Sequence, residues 1–199
     1  MKNNTMKMSL VDRILATSHI TLDIETLGRS PTSPITQIAA VQFSPTTGEI
    51  IDSFERKISY KSLQKYGFIP EYAAIYWWIT ECSKDAQINV YGGKDKDKTD
   101  IRKALIDFKV WSNSKENSIF WTHPEFDASI IRYAGYKTGI NDHILYYRDV
   151  KCMRTLDYLL GIPNMDVEKE SMISHDALED CKFQALKISR QFGSISSIT

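Results

Sequence analysis

Two carboxylates end an apolar segment near the start of the chain. Asp23 and Glu25 are separated by one residue within the segment His19–Gly28. Side chains two residues apart on a β-strand point to the same face, so these carboxylates converge while Leu22 and Ile24 point into the core. Adjacent carboxylates repel each other unless a positive charge lies between them. The pair indicates a divalent cation held by oxygen ligands, and a strand that ends in a polar turn explains it equally well.

A third acid, Asp127, follows a short predicted strand at 119–121 and stands at the start of a helix. Open α/β sheets place functional groups there, outside the ends of the strands. The alternative is an acid that stabilises a helix N-terminus through the helix dipole, an effect worth under ~1 kcal/mol.

A histidine and a fourth acid, His175 and Asp180, stand at the front of the last predicted helix. Five positions on a helix correspond to about 140° of rotation, so the two side chains flank the apolar stripe, or His175 lies just before the regular helix. Asp176 and Glu179 fall on the face opposite the stripe and are predicted to be solvated. Asp180 is therefore the acid expected to point inward.

The elements that must position these side chains begin with three strands, at 19–25, 35–43 and 49–58. The turn Ser44–Gly48 makes the second and third of them antiparallel neighbours. Helices are predicted at 10–16, 70–80, 99–111, 126–136, 149–160 and from a Ser174 cap to 192, with strands at 119–121 and 144–147. This order predicts an α/β fold with a mixed sheet flanked by helices. We expect a leader at 1–17, one domain at 18–192 and a flexible tail at 193–199.

The composition excludes several classes of protein. The chain has 199 residues, 42% of them hydrophobic, which suits one globular domain. Lys plus Arg and Asp plus Glu both number 25, so no broad basic field is available to hold long nucleic acids nonspecifically. Three scattered cysteines favour a reducing compartment. No run reaches membrane-spanning length and the N-terminus lacks signal-peptide order, so a cytoplasmic protein without a membrane partner is predicted.

The order of the acidic motifs resembles a known superfamily. Asp23-Ile-Glu25 on the first strand, Phe126-Asp127 after a later strand and His175-x4-Asp180 on the last helix are similar to the DnaQ-like (DEDDh) 3′–5′ exonucleases. The resemblance covers residues 18 to 192 and implies a ribonuclease H-like fold, with three antiparallel strands followed by parallel strands.

A narrower resemblance is to the phage exodeoxyribonuclease A and exoribonuclease-like group. The segments that carry it are Thr21–Gly28, Pro34-Ile35, Thr47-Gly48, Trp77-Trp78, Trp121, Arg148-Asp149 and Arg154–Leu156. One residue and one segment depart from that group's pattern. Glu81 stands near a position usually held by Gln, and Thr122–Glu125 replace a small apolar or asparagine-containing segment before the second motif.

The superfamily resemblance implies a two-metal phosphodiesterase. Two Mg²⁺ ions, for which Mn²⁺ can substitute, would be held by four carboxylates, Asp23, Glu25, Asp127 and Asp180. His175 would accept the proton of the attacking water, and nucleoside 5′-monophosphates would leave from a 3′ end.

The resemblance also implies substrate contacts and partners. Thr26 and Leu27 would approach the terminal sugar and base, and Trp78 is chosen over Trp77 as the exposed residue on which a base stacks. The partners implied are single-stranded 3′ ends of DNA or RNA and a second copy of the chain in a homodimer.

Two other functions compete with the exonuclease. An aspartyl-nucleophile phosphatase also opens with an acid pair, yet it would require Asp at position 25 and gives no role to His175 with Asp180. A catalytically silent nucleic-acid-binding module on the same fold is disfavoured because all five catalytic residues are present. The choice between DNA and RNA is not readable from the sequence, because the contact with the 2′-hydroxyl cannot be placed.

Overall fold

The computed structural model describes residues 8–140, 142–166 and 175–196. It contains a five-stranded sheet in the order β3-β2-β1-β4-β5. The strands are β1 Ser18–Thr26, β2 Ile35–Phe43, β3 Ile50–Lys57, β4 Ser118–Thr122 and β5 Val150–Cys152. Strands β1, β2 and β3 pair antiparallel, whereas β4 runs parallel to β1 and β5 runs parallel to β4. The predicted mixed sheet is confirmed, with β1 at its centre.

Eight helices surround the sheet in the described residues. They are α1 Leu10–Leu15, α2 Tyr60–Lys65, α3 Tyr72–Thr80, α4 Lys84–Tyr91, α5 Ile101–Asn113, α6 Ser129–Lys137, α7 Met153–Leu160 and α8 Ala177–Ser196. None of these helices combines the length and the apolar character that crossing a bilayer requires. Most begin at an ordinary cap; for example, the Asp100 side chain accepts hydrogen bonds from the first turn of α5.

The alternation of side chains along β1 divides the core into two layers. Leu22 and its neighbours on one face of the strand pack with α5 and α6, where Phe108 and Ile130 are fully buried. On the other face of the sheet, the small side chain of Ala39 packs with Cys181 of α8. Because side chains two apart share a face, the α8 side is the one that receives Asp23 and Glu25.

The strand predicted at 144–147 is not present. Ile144 and Leu145 are buried, but they fill the core beneath α6, where Ile144 approaches Gly135 so closely that an added Cβ would lie 2.4 Å from its Cδ1. The Leu145 carbonyl accepts a hydrogen bond from the Arg132 side chain and not from a neighbouring strand. The last strand is β5 instead, so the helix predicted from 149 begins only at Met153.

Other boundaries also differ from the sequence prediction. The helix expected at 126–136 is preceded by a π-helical turn, Pro124–Ala128, and becomes α-helical at Ser129. Helices α2 and α4 were not predicted, because each is short and lacks a strong apolar period. The charged stretch between α4 and α5 contains a 3-10 turn, Asp95–Asp97, and Asp95 accepts hydrogen bonds from Ser59 Oγ and Tyr60 N.

The start of the last helix was assigned to the wrong cap. Ser174 lies outside the described residues, and the side chain of Asp176 accepts hydrogen bonds from Leu178 N at 3.0 Å and Glu179 N at 3.2 Å. Asp176 is therefore a buried N-cap and not the solvated acid that was predicted. At the other end, α8 continues through residues 193–196, which were expected to belong to a flexible tail.

Candidate active site

The C-terminal half of β1 presents polar side chains to α8. Thr21 Oγ1 donates a 2.9 Å hydrogen bond to the carbonyl of Cys181, which fixes the first turns of α8 over the strand. Asp23 and Glu25 follow on the same face at the two next alternate positions. Asp23 is half-buried and Glu25 is buried, so both carboxylates have lost much of their contact with water.

Asp127 reaches the same end of the sheet from the π-helical turn after β4. Its carboxylate is buried and accepts hydrogen bonds from Thr122 Oγ1 at 2.7 Å and from the backbone N–H of His123 at 2.9 Å. Both donors belong to the end of β4 or to the residue directly after it. The parallel pairing of β4 with β1 therefore carries Asp127 to the edge where Asp23 and Glu25 lie.

Helix α8 and the segment just before it supply the remaining two side chains that the motifs predict. Asp180 lies in its first turn, and its carboxylate accepts a hydrogen bond from the backbone N–H of His175. His175 itself has a left-handed backbone with φ of 65°, just before the Asp176 cap. Ligand atoms of Glu25, His175 and Asp180 all lie within 4.8 Å of one another, a spacing that one metal ion could bridge.

The carboxylates of this cluster have strongly perturbed pKa values. Burial and the charges of Asp127, Glu25 and Asp180 raise the pKa of Asp23 well above its usual range. Burial and the neighbouring acids also raise the pKa of Glu25, and burial raises the pKa of Asp127 and of Asp180 to about 6. Oxygen donors crowded in this way are the ligand set that suits Mg²⁺ or Mn²⁺.

All five side chains predicted to be catalytic line a single cleft of about 590 Å³. The structure thus brings Asp23, Glu25, Asp127, His175 and Asp180 together from separate segments of the chain. The His175 ring packs edge-to-face with Trp77, with ring centroids 5.0 Å apart, and lies at a similar angle to Trp78, with centroids 6.2 Å apart. Partial burial lowers the pKa of His175, which keeps its ring neutral near pH 7.

The two tryptophans exchange the positions expected of them. Trp78, chosen as the exposed stacking residue, is only 4% exposed, and its indole N–H donates to the Thr26 carbonyl at 3.0 Å. Trp77 is 40% exposed and presents its ring to the cleft. Adjacent helix positions point about 100° apart, so only one of the two rings can pack inward. Trp78 is that ring, and it packs in a buried cluster with Val90.

The two residues expected to contact the terminal nucleotide, Thr26 and Leu27, line different cavities. Thr26 lines the cleft, and its hydroxyl donates to the Gly28 carbonyl at 2.6 Å. Leu27 points away from the carboxylates into a neighbouring apolar cavity of about 260 Å³, next to Trp78 and Tyr91. The orientation of Leu27 therefore does not support the prediction that its side chain wedges against a base.

Three cleft residues were not singled out by the sequence motifs. Gln184 lies one turn after Asp180 on α8, and its Nε2 is 3.4 Å from Asp23 Oδ1. His123, interpreted as an ordinary histidine, lines the cleft with its Nδ1 buried and without a partner in the described residues. Arg29 is exposed at the rim. The i, i+4 spacing of Asp180 and Gln184 was the available signal for one of them.

The loop that carries Arg29 is fixed by a carboxylate at the start of α3. Glu71 Oε1 accepts hydrogen bonds from Ser30 N at 3.0 Å and Ser33 Oγ at 3.3 Å. Hydrogen bonds from the backbone N–H groups of Ser30 and Arg29 hold the pKa of Glu71 below its usual range. A Cβ at Gly28 would lie 2.8 Å from the same carboxylate, so the loop closes tightly over it.

Comparisons with known proteins agree with this arrangement. The model of the 3′–5′ exoribonuclease Rv2179c-like domain family matches residues 18–191. No curated protein is detectably similar in sequence. Among solved structures, an exonuclease I matches with a TM-score of 0.60 at 15% identity over 91% of this chain. Exonuclease I from Methylocaldum szegediense gives 0.59 at 14% over 92%, and the Escherichia coli enzyme in complex with a 5cy-dA13 oligonucleotide gives 0.57 at 14% over 91%.

The chain spans only 43% of the length of each of these exonuclease I chains, and identities this low establish the shared fold alone. The family match rests on nearly the whole of the described domain. The chain therefore belongs to the family of 3′–5′ exoribonuclease Rv2179c-like domains and has a ribonuclease H-like fold.

Proposed function

We propose that the protein removes nucleotides one at a time from the 3′ ends of single-stranded RNA by a two-metal mechanism. One observation carries the proposal: four carboxylates and a histidine from separate segments face one cleft. Burial raises the pKa values of all four carboxyl groups, and repulsion by the other acids of the cluster adds to this for Asp23 and Glu25, a cost that a bound cation removes. Membership of the exoribonuclease family supports the choice of RNA.

The metal ligands we propose are Asp23, Glu25, Asp127 and Asp180, with Mg²⁺ as the ion and Mn²⁺ as its substitute. All four donors are carboxylates, which suits a hard divalent cation. When bound, two such ions would polarise the attacking water and offset the negative charge that develops on the phosphate.

His175 is the general base in this proposal. Its lowered pKa leaves one ring nitrogen free to accept the proton of the attacking water at neutral pH. The edge of Trp77 and the left-handed backbone fix where the ring can point. The 3′-oxygen of the remaining chain leaves, and the product is a nucleoside 5′-monophosphate.

Trp77 takes the stacking role that was first assigned to Trp78. Its exposed ring lines the same cleft as the carboxylates and Arg29. A base stacked on it is held without regard to sequence, as a nonspecific exonuclease requires. Thr26 contacts the terminal sugar through its backbone. The Arg29 guanidinium attracts a backbone phosphate, since a neutral protein needs local cations beside an acidic centre.

The function is tested with 5′-labelled single-stranded RNA and DNA of one sequence, incubated side by side with Mg²⁺ or with EDTA. We expect a ladder that shortens from the 3′ end, faster on RNA, and no cleavage with EDTA. Asp23→Ala and Asp180→Asn should abolish the ladder while the proteins still fold. Near-normal activity of either variant, or cleavage at internal positions, would overturn the proposal.

Two controls separate the alternatives. A silent binding module would retain RNA in a filter or anisotropy assay without producing any ladder. A phosphatase would release the chromophore from a simple aryl phosphate, a substrate that we expect the protein to leave intact. The homodimer and the cytoplasmic location remain predictions, which the mass of the native particle and cell fractionation would check.

A further inference from the structure

Helix α8 brings a second polar side chain to the cleft besides its acid. Asp180 and Gln184 are four residues apart, so they lie one above the other on the same helix face. Both line the cleft that contains the carboxylate cluster. A glutamine beside a carboxylate cluster needs an explanation, because its amide binds a metal ion less strongly than a carboxylate does and cannot neutralise a carboxylate's charge.

Gln184 contacts the carboxylate at the centre of the cluster. Its Nε2 lies 3.4 Å from Asp23 Oδ1, and this contact lowers the pKa of Asp23 against the opposing effects of burial and three acids. Among the described residues, Gln184 is the only side chain that donates a hydrogen bond to Asp23. A hydrogen bond from an amide restricts the rotation of the carboxylate and leaves its other oxygen free.

The absence of charge on the Gln184 side chain is as important for the cluster as its contact with Asp23. A lysine at this position would neutralise Asp23 and compete with a cation for the same oxygens. A glutamate would add a fifth negative charge and have no proton to donate at neutral pH. An amide donates without changing the net charge of the cluster, so the attraction for a divalent cation is retained.

The other end of the same amide is unsatisfied. Gln184 Oε1 is buried, and it has no hydrogen-bond partner in the described part of the chain. An unpaired buried acceptor is unfavourable, so the side chain is held in this orientation despite a penalty. A hydrated cation in the cleft would bring a donor for this oxygen, whereas Gln191 Oε1, which is also buried and without a partner in the described residues, lies outside the cleft.

We propose that Gln184 is a positioning residue that orients the Asp23 carboxylate for metal binding. The inference rests on the proposed function, because it takes Asp23 as a metal ligand. Gln184 does not touch the substrate or accept a proton in this account. Its effect is expected in metal affinity, since removal of a partner that orients a ligand typically weakens affinity by about 10–100-fold.

The test measures Mn²⁺ binding to the substrate-free protein by isothermal titration calorimetry, with no nucleic acid present. Gln184→Met and Gln184→Leu both remove the hydrogen-bond donor, but their side chains differ in shape. An effect on binding that is caused by altered packing should therefore differ between the two variants. We expect both variants to bind Mn²⁺ at least about tenfold more weakly than the wild type. At saturating metal, KM for RNA should be unchanged and most of kcat should return.

Gln191→Met is the matched control. Gln191 is a buried glutamine on the same helix, and its amide donates to Asp157 Oδ1 at 2.9 Å and to the Gly161 carbonyl at 2.7 Å, outside the cleft. This variant should lower the melting temperature and leave the Mn²⁺ affinity unchanged. A Kd within twofold of wild type for both Gln184 variants would overturn the inference. If instead the wild type binds no Mn²⁺, or if Asp180→Asn binds it normally, the proposed function fails first.

Discussion

Removing one negative charge from the carboxylate cluster should stabilise the protein when no metal is present. The change is Asp180→Asn, in which the amide oxygen can still accept the hydrogen bond from His175 N. Burial raises the pKa of Asp180 from 3.8 to about 6, so the folded protein holds this proton more tightly than the unfolded chain does. The metal-free protein therefore loses stability as the pH rises from about 4 to about 6, and the loss persists at higher pH.

The magnitude follows from the size of that shift. About two pKa units at ~1.4 kcal/mol each give an upper limit of ~3 kcal/mol. Asp180 is partly exposed, so solvent screening reduces the effect, and we expect about 1–2 kcal/mol. For a chain of this length, that corresponds to a rise of ~3–6 °C in melting temperature.

The assay is differential scanning fluorimetry at pH 4 and pH 7.5, with EDTA and with Mg²⁺. In EDTA the variant should melt higher than the wild type at pH 7.5 and at the same temperature at pH 4. Mg²⁺ should stabilise the wild type and leave the variant little changed. Glu116→Gln is the control, because Glu116 is exposed and does not line the cleft. A variant that melts at or below the wild type in EDTA at pH 7.5 would refute the electrostatic reasoning.

Three further predictions concern the residues around the cluster. Thr122→Val should remove a 2.7 Å hydrogen bond to Asp127, raise the pKa of that carboxyl beyond about 6 and cost about 1–3 kcal/mol of unfolding free energy. In its pH–rate profile the acidic limb should move to higher pH, whereas Thr122→Ser should restore the wild-type profile. Trp77→Ala should raise KM for RNA by about tenfold, because stacking on an aromatic ring is worth ~1–3 kcal/mol per base; an unchanged KM would exclude stacking there. Lys187→Met should lower the melting temperature by a few degrees, because Lys187 and Asp157 form a 3.0 Å ion pair with only 14% and 18% of their side chains exposed, yet Mn²⁺ affinity should stay normal.

The parts of the fold that the sequence predicted well have strong local signals. Strand β2 is predicted to the residue, since its ends are marked by Pro34 and by the turn that begins at Ser44. The carboxylate set was predicted as a group because the order of its motifs resembles that of the DnaQ-like exonucleases. Their meeting in one cleft needed the parallel pairing of β4 with β1, which follows from topology.

The failures have physical causes of a different kind. Ile144 and Leu145 are as apolar as a strand, but their burial under α6 depends on the space left by Gly135, which no local pattern reveals. The choice between Trp77 and Trp78 was also not local, because both lie on the same short helix and the cluster beneath it decides which is buried. Gln184 was missed because a single amide has no motif of its own, and its contact spans 161 positions of sequence.

The left-handed backbone at His175 restricts what can replace this residue, independently of any chemistry. Histidine, asparagine and aspartate adopt that conformation more readily than other side chains, and β-branched residues pay the largest penalty for it. In a library of all substitutions at position 175, the stability of each variant should follow the tolerance of its side chain for positive φ. Activity should then differ among the stable variants according to their chemistry. The His175→Asn variant should be folded and inactive, which makes it a cleaner catalytic knockout than the customary alanine.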